Sequence, residues 1–194
     1  MILWLGLGAG LVTGLGWSRL RGHPYRSPTL NHIWLVFAGF LPQFLAIYIG
    51  NTRLTTPDWL AAPILVTSQL VLLIFAWLNR HLTGMLILMI GLVLNMVVMV
   101  ANGGFMPINP NTAERLVGAE RISTFEIGNR IGYKDILLPA KETRLEWLTD
   151  RFLPPVGFPY QVAFSLGDVF IALGAFWMLA YQKAINENQL LRSI

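Results

Sequence analysis

Two aspartates near the C-terminal end of the chain are the residues best suited to chemistry. Asp168 is the single charged residue of the apolar run 163–181, and Asp150 precedes it in the segment WLTDRFLPP. A carboxylate at membrane depth costs roughly 2.5–3.5 kcal/mol on insertion scales, so its presence suggests a function. Two facing carboxylates could activate water. Asp150 and Asp168 are therefore the candidate catalytic residues of an aspartyl membrane hydrolase.

Asp168 also has a structural interpretation. In the segment SLGD, Ser165 stands three residues before Asp168 and directly precedes an apolar run. This spacing is typical of a capping box, in which both side chains bind free backbone N–H groups at a helix start. The negative charge would then lie at the positive end of the helix dipole. The local pattern favours the cap because the cap requires no distant partner.

Other polar residues inside the apolar runs are Gln43, Gln69 and Asn95. Lipid offers their amides no partners, so interhelical hydrogen bonding is the favoured role. The alternative is a polar pocket in a small carrier or lipid-binding protein.

The histidines are the candidate cofactor-binding residues. His23, His32 and His81 all lie in or beside two short connections between apolar runs. Imidazoles there could contact haem or a chlorophyll-type pigment, with His32 and His81 as the candidate pair. No two histidines have the i, i+3 or i, i+4 spacing of a helical metal site. The sequence requires no cofactor and predicts no metal site.

Composition indicates a membrane protein. The 194 residues are 55% hydrophobic and 12% charged, with a mean hydropathy of +0.57. That is more apolar surface than a soluble domain of this length could bury. The absence of cysteine excludes disulfides, thiolate nucleophiles and zinc–thiolate sites. The net charge of +4 does not indicate nucleic-acid binding, because the basic residues stand singly at the ends of apolar runs.

Five apolar segments are long enough to cross a bilayer, since about 20 helical residues cover roughly 30 Å. They are 1–17, 33–50, 59–78, 83–101 and 162–181. We therefore predict an all-α membrane protein with about five transmembrane helices. Its parts are a four-helix region 1–101, an extracytoplasmic connection 102–161, a fifth helix within 162–183 and a cytoplasmic tail 184–194.

A doubled GxxxG pattern lies on the first segment, at Gly6, Gly10 and Gly14. Glycines at this spacing let a neighbouring helix backbone approach closely. The pattern predicts helix packing, within the chain or between chains.

The connection 102–161 differs from the others because its seven basic and seven acidic residues balance. Within it, NPNTAERLVG predicts a helix with Asn111 as N-cap. KETRLEWLTDRF predicts a short amphipathic helix on the membrane surface, with Leu145, Leu148 and Phe152 on one face. The segment ISTFEIG is compatible with a short strand and GYKD with a turn.

Basic residues in the short connections and the tail predict the orientation. One set of connections carries Arg53 alone, and the other carries six basic residues: Arg19, Arg21, Arg26, Arg80, Lys183 and Arg192. The N-terminus is therefore expected outside and the C-terminus in the cytoplasm, with the chain integral to the cell (inner) membrane.

Three segments carry a resemblance to a known family: NGGFMPI, RLEWLTDRFLPP and YQVAFSLGDVFIALGAFWML. Together they resemble an uncharacterised family of small bacterial multi-spanning proteins, domain of unknown function 5317. The resemblance covers most of the chain and implies no activity.

A second similarity is to lipoprotein signal peptidases, whose two catalytic aspartates lie at the outer ends of spans. Asp150 and Asp168 would occupy those places. Trp147 and Ser165 stand where those enzymes have asparagines, and the chain has five apolar runs instead of four.

Three functions are compatible with these observations. The favoured one is a non-catalytic membrane subunit packed within a larger complex, such as an energy-converting or photosynthetic one. Its expected partners are the lipid bilayer and other membrane subunits, and not nucleic acid. The alternatives are the aspartyl membrane hydrolase and the small carrier or lipid-binding protein.

Overall fold

A computed structural model describes residues 2–48, 56–155, 157–158 and 161–181. This part of the chain contains seven α-helices: α1 (Ile2–Leu20), α2 (Trp34–Tyr48), α3 (Asp58–Leu78), α4 (Met85–Ala101), α5 (Pro110–Val117), α6 (Ala119–Ile122) and α7 (Leu166–Ala180). It also contains the strands β1 (Met106–Ile108), β2 (Arg130–Ile131) and β3 (Asp135–Leu137), and a 3-10 helix at Glu146–Leu148.

Each of the five predicted apolar segments contains one helix, so the predominantly helical class is confirmed. Among the described residues, α3 is the one helix long and apolar enough to cross a membrane by length and composition alone. The apolar stretches Trp34–Leu45, Met85–Ala101 and Leu166–Ala180 are shorter. The last begins later than predicted because Ser165 caps it, which leaves residues 161–165 outside the helix. Length and composition alone therefore support one membrane span among the described residues and not the predicted five.

The five long helices pack in the order α1, α7, α4, α3, α2. Helices α1 and α7 run parallel, because Gly6 lies against Ala172 and Gly10 against Phe176. Helices α4 and α7 run antiparallel, because Gly91 lies against Gly167 while Gly84, before α4, lies against Gly174. The connections therefore separate to two ends of the molecule.

The first end, here called the loop end, contains residues 21–33, residues 79–84 and the C-terminus of α7. Asn79 is fully buried there, and its Nδ2 donates to the carbonyl of Asn31 at 2.9 Å. In return the backbone N–H of Asn31 donates to Asn79 Oδ1 at 2.7 Å. Tyr25 Oη donates to the carbonyl of Leu179 at 3.2 Å. These bonds hold both connections against the helix ends.

The second end, here called the sheet end, contains the connection 102–165. Its strands form a sheet of order β1-β3-β2, with β1 parallel and β2 antiparallel to β3. The prediction of an all-α chain is wrong here, because residues 106–108 find a partner far along the sequence. The GYKD turn is confirmed between β2 and β3, whereas the strand expected at ISTFEIG is wrong, since α6 and turns cover that segment.

The helix predicted at NPNTAERLVG is confirmed as α5, but its N-cap is Asn109 instead of Asn111. Asn109 is extended, and its side-chain oxygen accepts from the Asn111 N–H at 3.0 Å. Pro110 then occupies the first helical position, where its fixed φ and missing N–H are tolerated.

The amphipathic helix predicted at KETRLEWLTDRF is wrong. Only Glu146–Leu148 is helical, as one 3-10 turn, because Leu145 has a positive φ of 55° and Thr149 is extended. Leu148 is buried in a core formed with α3, α4 and the connection. Phe152 instead pairs with Phe164 in an antiparallel bridge. This segment is therefore part of the folded sheet end.

Candidate functional site

The site begins at a close approach of α4 and α7 near the N-terminus of α7. A Cβ at Gly91 would lie 2.7 Å from the backbone nitrogen of Ile171, and one at Gly167 would overlap the side chain of Asn95. Neither position has room for a side chain. The two glycines therefore bring the N-terminus of α7 within hydrogen-bonding reach of Asn95 on α4.

The predicted capping box is confirmed. Ser165 Oγ accepts from the backbone N–H of Asp168 at 3.0 Å, and the Ser165 N–H donates to Asp168 Oδ2 at 3.1 Å. Asn95 joins this cap to the neighbouring helix. Its Nδ2 donates to Asp168 Oδ1 at 2.8 Å, and its Oδ1 accepts from Ser165 Oγ at 2.8 Å. Both carboxylate oxygens of Asp168 thus have partners.

Asp150 is held by a different set of contacts. Its side chain is 1% exposed, and Oδ2 accepts from the ammonium group of Lys134. Lys134 also donates to Asp135 Oδ1 at 2.7 Å. The Asp150 backbone N–H donates to the carbonyl of Pro107 at 3.3 Å, which ties this segment to β1. Asp150 Oδ1 is buried and has no partner in the part of the chain that the structure describes.

Lys134, Asp135, Asp150 and Asp168 form one charged group, here called the carboxylate cluster. Burial lowers the pKa of Lys134, but the charges of the three aspartates outweigh it and raise the pKa above its ordinary value. The Lys134 side chain is 42% exposed, and the nearby carboxylates account for the increase in its pKa. The pKa of Asp150 is raised to about 7: burial is the largest cause, Asp135 and Asp168 act in the same direction, and Lys134 opposes them.

The charges of the two candidate catalytic aspartates interact within the carboxylate cluster, but only Asp150 has a carboxylate oxygen without a partner among the described residues. An aspartyl hydrolase needs two carboxylates that act together on one water. Asp168 already uses both oxygens in the cap and in the bond to Asn95, and Asp150 has one oxygen left. The arrangement matches what a helix cap and a buried ion pair require.

Sequence reasoning missed a second contact at the sheet end, made by Arg130. Its Nε lies 2.6 Å from Asp58 Oδ1, and its Nη2 donates to the carbonyl of Thr56. Its guanidinium carbon lies 5.5 Å from the ring centre of Phe105. Burial raises the pKa of the neighbouring Tyr133 hydroxyl, and Arg130 opposes this shift. These contacts fasten the sheet to the start of α3, and no local sequence pattern announces them.

Of the remaining predicted residues, only Asn95 is shown bonded to a member of the carboxylate cluster among the described residues. Gln43 is half-buried on α2, and Gln69 on α3 has a buried Oε1 with no partner among the described residues. Asn95 bonds to α7 instead of joining these glutamines. His32 and His81 are exposed at the loop end. Among the described residues, no group of three or more His, Cys, Asp or Glu could hold a metal ion.

The glycines of α1 divide into two faces. Cβ atoms at Gly6, Gly10 and Gly14 would overlap the backbone of α7, so these glycines pack within the chain. Gly8 and Gly16 have nothing within 4 Å of a Cβ position and are exposed.

Comparison with known proteins identifies the family of this chain. No curated protein and no solved structure matches the chain, so the similarity to lipoprotein signal peptidases is unsupported. Residues 28–180 match the family described as "Family of unknown function (DUF5317)". This match covers well over half of the chain and confirms the resemblance noted from the sequence. The chain belongs to this family.

Proposed function

We propose that the chain is a non-catalytic integral membrane subunit that packs within a larger membrane complex. Helices α1, α2, α3, α4 and α7 cross the bilayer in this proposal. The loop end faces the cytoplasm, and the sheet end lies outside.

The placement of the tryptophans carries this proposal. The chain has seven, and each is at least 45% exposed. Trp17, Trp34, Trp77 and Trp177 lie toward the loop end, whereas Trp4, Trp59 and Trp147 lie toward the sheet end. Tryptophan is enriched at both membrane–water interfaces. Trp59 and Trp77 on α3 are separated by about 27 Å at 1.5 Å per residue, close to the roughly 30 Å of a hydrocarbon core.

The surface of the helices between the two groups of tryptophans supports the same proposal. Helix α2 exposes Phe37, Phe40, Leu41 and Phe44, a continuous apolar face that would be costly in water. The shorter α4 and α7 cover roughly 23–26 Å by the helix rise, a mismatch that a bilayer accommodates by local thinning. Lipid or a partner helix would cover these faces.

Helix α1 is the proposed contact with a partner subunit. Gly8, Val12 and Gly16 follow one another at four-residue intervals on its outward face, and Val12 is 71% exposed. The two glycines leave room on either side of Val12 for a partner helix to approach closely, which lipid chains do not require. The inward glycines already bind α7, so the outward ones remain for a second helix.

The hydrolase stays a second candidate because of one observation. Within the part of the chain that the structure describes, Asp150 Oδ1 has no hydrogen-bond partner, and Asp150 shares the carboxylate cluster with Asp168. The non-catalytic role is preferred because the other carboxylate oxygens of both residues are engaged. A carrier would need Gln43, Gln69 and Asn95 in one polar pocket. Asn95 is instead bonded to Ser165 and Asp168 at the start of α7.

Gentle detergent purification of the native protein tests the proposed subunit role. We expect a fixed set of membrane proteins to co-purify in constant ratio, and an absorption spectrum of the same fraction reports any pigment or haem. Substituting Leu for Gly8 and Gly16 should release these proteins. Val12→Leu, which places the same side chain at an already occupied position of this face, should retain them. A chain that purifies alone, with no loss caused by the glycine substitutions, would contradict the proposal.

A further inference from the structure

The two connections at the loop end, together with the last turn of α1, contain basic residues and no acidic ones. Residues 19–33 and 79–84 contain four arginines and all three histidines of the chain, and no aspartate or glutamate. The sheet end differs, because its basic and acidic residues are equal in number. Both connections of the loop end are therefore basic.

Two of its arginines are held in place by tryptophans. The guanidinium carbon of Arg21 lies 4.5 Å from the ring centre of Trp17, and that of Arg80 lies 4.6 Å from Trp77. Arg80 also donates to the carbonyl of Trp77 at 3.0 Å. Each pair sets an interfacial ring and a cation at the same depth. Arg21 and Arg80 are both exposed, so an anion at that depth would reach their guanidinium groups.

We propose that this basic surface binds the phosphate head groups of anionic phospholipids in the leaflet that contacts the loop end. The inference rests on the proposed membrane orientation and adds the class of lipid that the surface selects. Guanidinium groups pair well with phosphate because several N–H donors converge on its oxygens. Neither connection contains an aspartate or glutamate that would compete with phosphate for Arg21 and Arg80. Anionic lipid supplies the complementary charge within the plane of the bilayer.

Tryptophan quenching by lipids with brominated acyl chains tests the proposal. A full-length variant with Trp4, Trp59 and Trp147 changed to Phe keeps only the tryptophans near the loop end. It is reconstituted in phosphatidylcholine vesicles that contain brominated phosphatidylglycerol or brominated phosphatidylcholine in equal amounts. We expect stronger quenching by the phosphatidylglycerol, with a lipid preference on the order of fivefold for an arginine near the surface.

Two further measurements assign this preference to the loop end. Adding salt should reduce it, because exposed charges are screened. Changing Arg19, Arg21 and Arg80 to Gln should bring it close to one. The matched control changes three exposed arginines of the sheet end to Gln: Arg115, Arg121 and Arg144. This control should keep the preference.

The possible failures are distinguishable. Equal quenching by the two brominated lipids at low salt would overturn the head-group proposal and leave the membrane orientation intact. Equal loss of preference in the loop-end and sheet-end variants would also overturn it. Absence of quenching by either lipid would instead contradict the proposed membrane insertion.

Discussion

At the scale of residues, the α7 cap shows what local patterns predict. The Ser-x-x-Asp spacing predicts the capping box because both partners lie within one helical turn, and that box is present. The bond from Asn95 to Asp168 joins residues 73 positions apart, so no local pattern contains it. The sequence marks Asn95 only as a polar residue that needs a partner.

Substitutions in this network should lower stability together. Ser165→Ala removes an acceptor for the Asp168 N–H and a donor to Asn95, and should cost about 1–2 kcal/mol. Asp168→Asn leaves a single acceptor oxygen where two donors converge, and should cost about 1 kcal/mol. Thermal unfolding in detergent measures both effects. An Asp168→Asn protein that unfolds like the wild type yet loses its cellular role would favour the hydrolase.

Asp150 should make stability depend on pH. Its pKa is raised from the ordinary 3.8 to about 7 in the folded protein, so the native state binds more protons than the unfolded state between these values. The contribution of this group is therefore fully present below the unfolded pKa. It is lost as pH rises through about 7, and the free energy of unfolding falls with it.

Thermal unfolding of the wild type and Asp150→Asn across this pH range measures that dependence. The substitution removes the titrating group, so the decrease in melting temperature between about pH 4 and 7 should become shallower. Asp58→Asn is the matched control, because Asp58 is a largely exposed carboxylate in an ion pair with Arg130. An unchanged slope in Asp150→Asn would show that the ion pair with Lys134 keeps Asp150 ionised throughout.

At the scale of elements, long apolar runs predict the five long helices. The backbone groups of an apolar run in lipid have no water to bind, so they must form hydrogen bonds within the segment. The sheet could not be predicted from the sequence. Its strands have only two or three residues, too few to show an alternating pattern, and β1 pairs with a distant segment. The helix expected around Leu145 fails for another reason. Its apolar spacing fits a helical face, yet Leu148 enters the core while Phe152 pairs with Phe164.

The two glycine faces of α1 should respond oppositely to alanine. A Cβ at Gly10 would lie 2.6 Å from the carbonyl oxygen of Phe176, so Gly10→Ala should separate α1 from α7 and cost about 1–3 kcal/mol. Gly8→Ala meets nothing within 4 Å and should leave the fold unchanged or stabilise the helix by up to about 1 kcal/mol. Melting temperatures of the two variants in detergent measure this difference. Equal effects would show that α1 does not pack on α7 through this face.

At the scale of the whole molecule, the five long helices place a basic surface at one end and a neutral folded region at the other. Charge counts predict this separation because the orientation of the short connections depends on their basic residues. The structure also shows that the tryptophans are exposed and lie toward both ends of the long helices. Sequence alone could not show their exposure, since that depends on which helix faces pack together.

The central claim is that the chain crosses the membrane with the loop end inside and the sheet end outside. Because the chain has no cysteine, a single Cys can be introduced at either end. Ser27 at the loop end and Asn111 at the sheet end are exposed positions for this substitution. In intact cells, an impermeant thiol reagent should label Asn111→Cys, and it should label Ser27→Cys only after the membrane is opened. Labelling of Ser27→Cys in intact cells, or of neither variant before the membrane is opened, would contradict the claim.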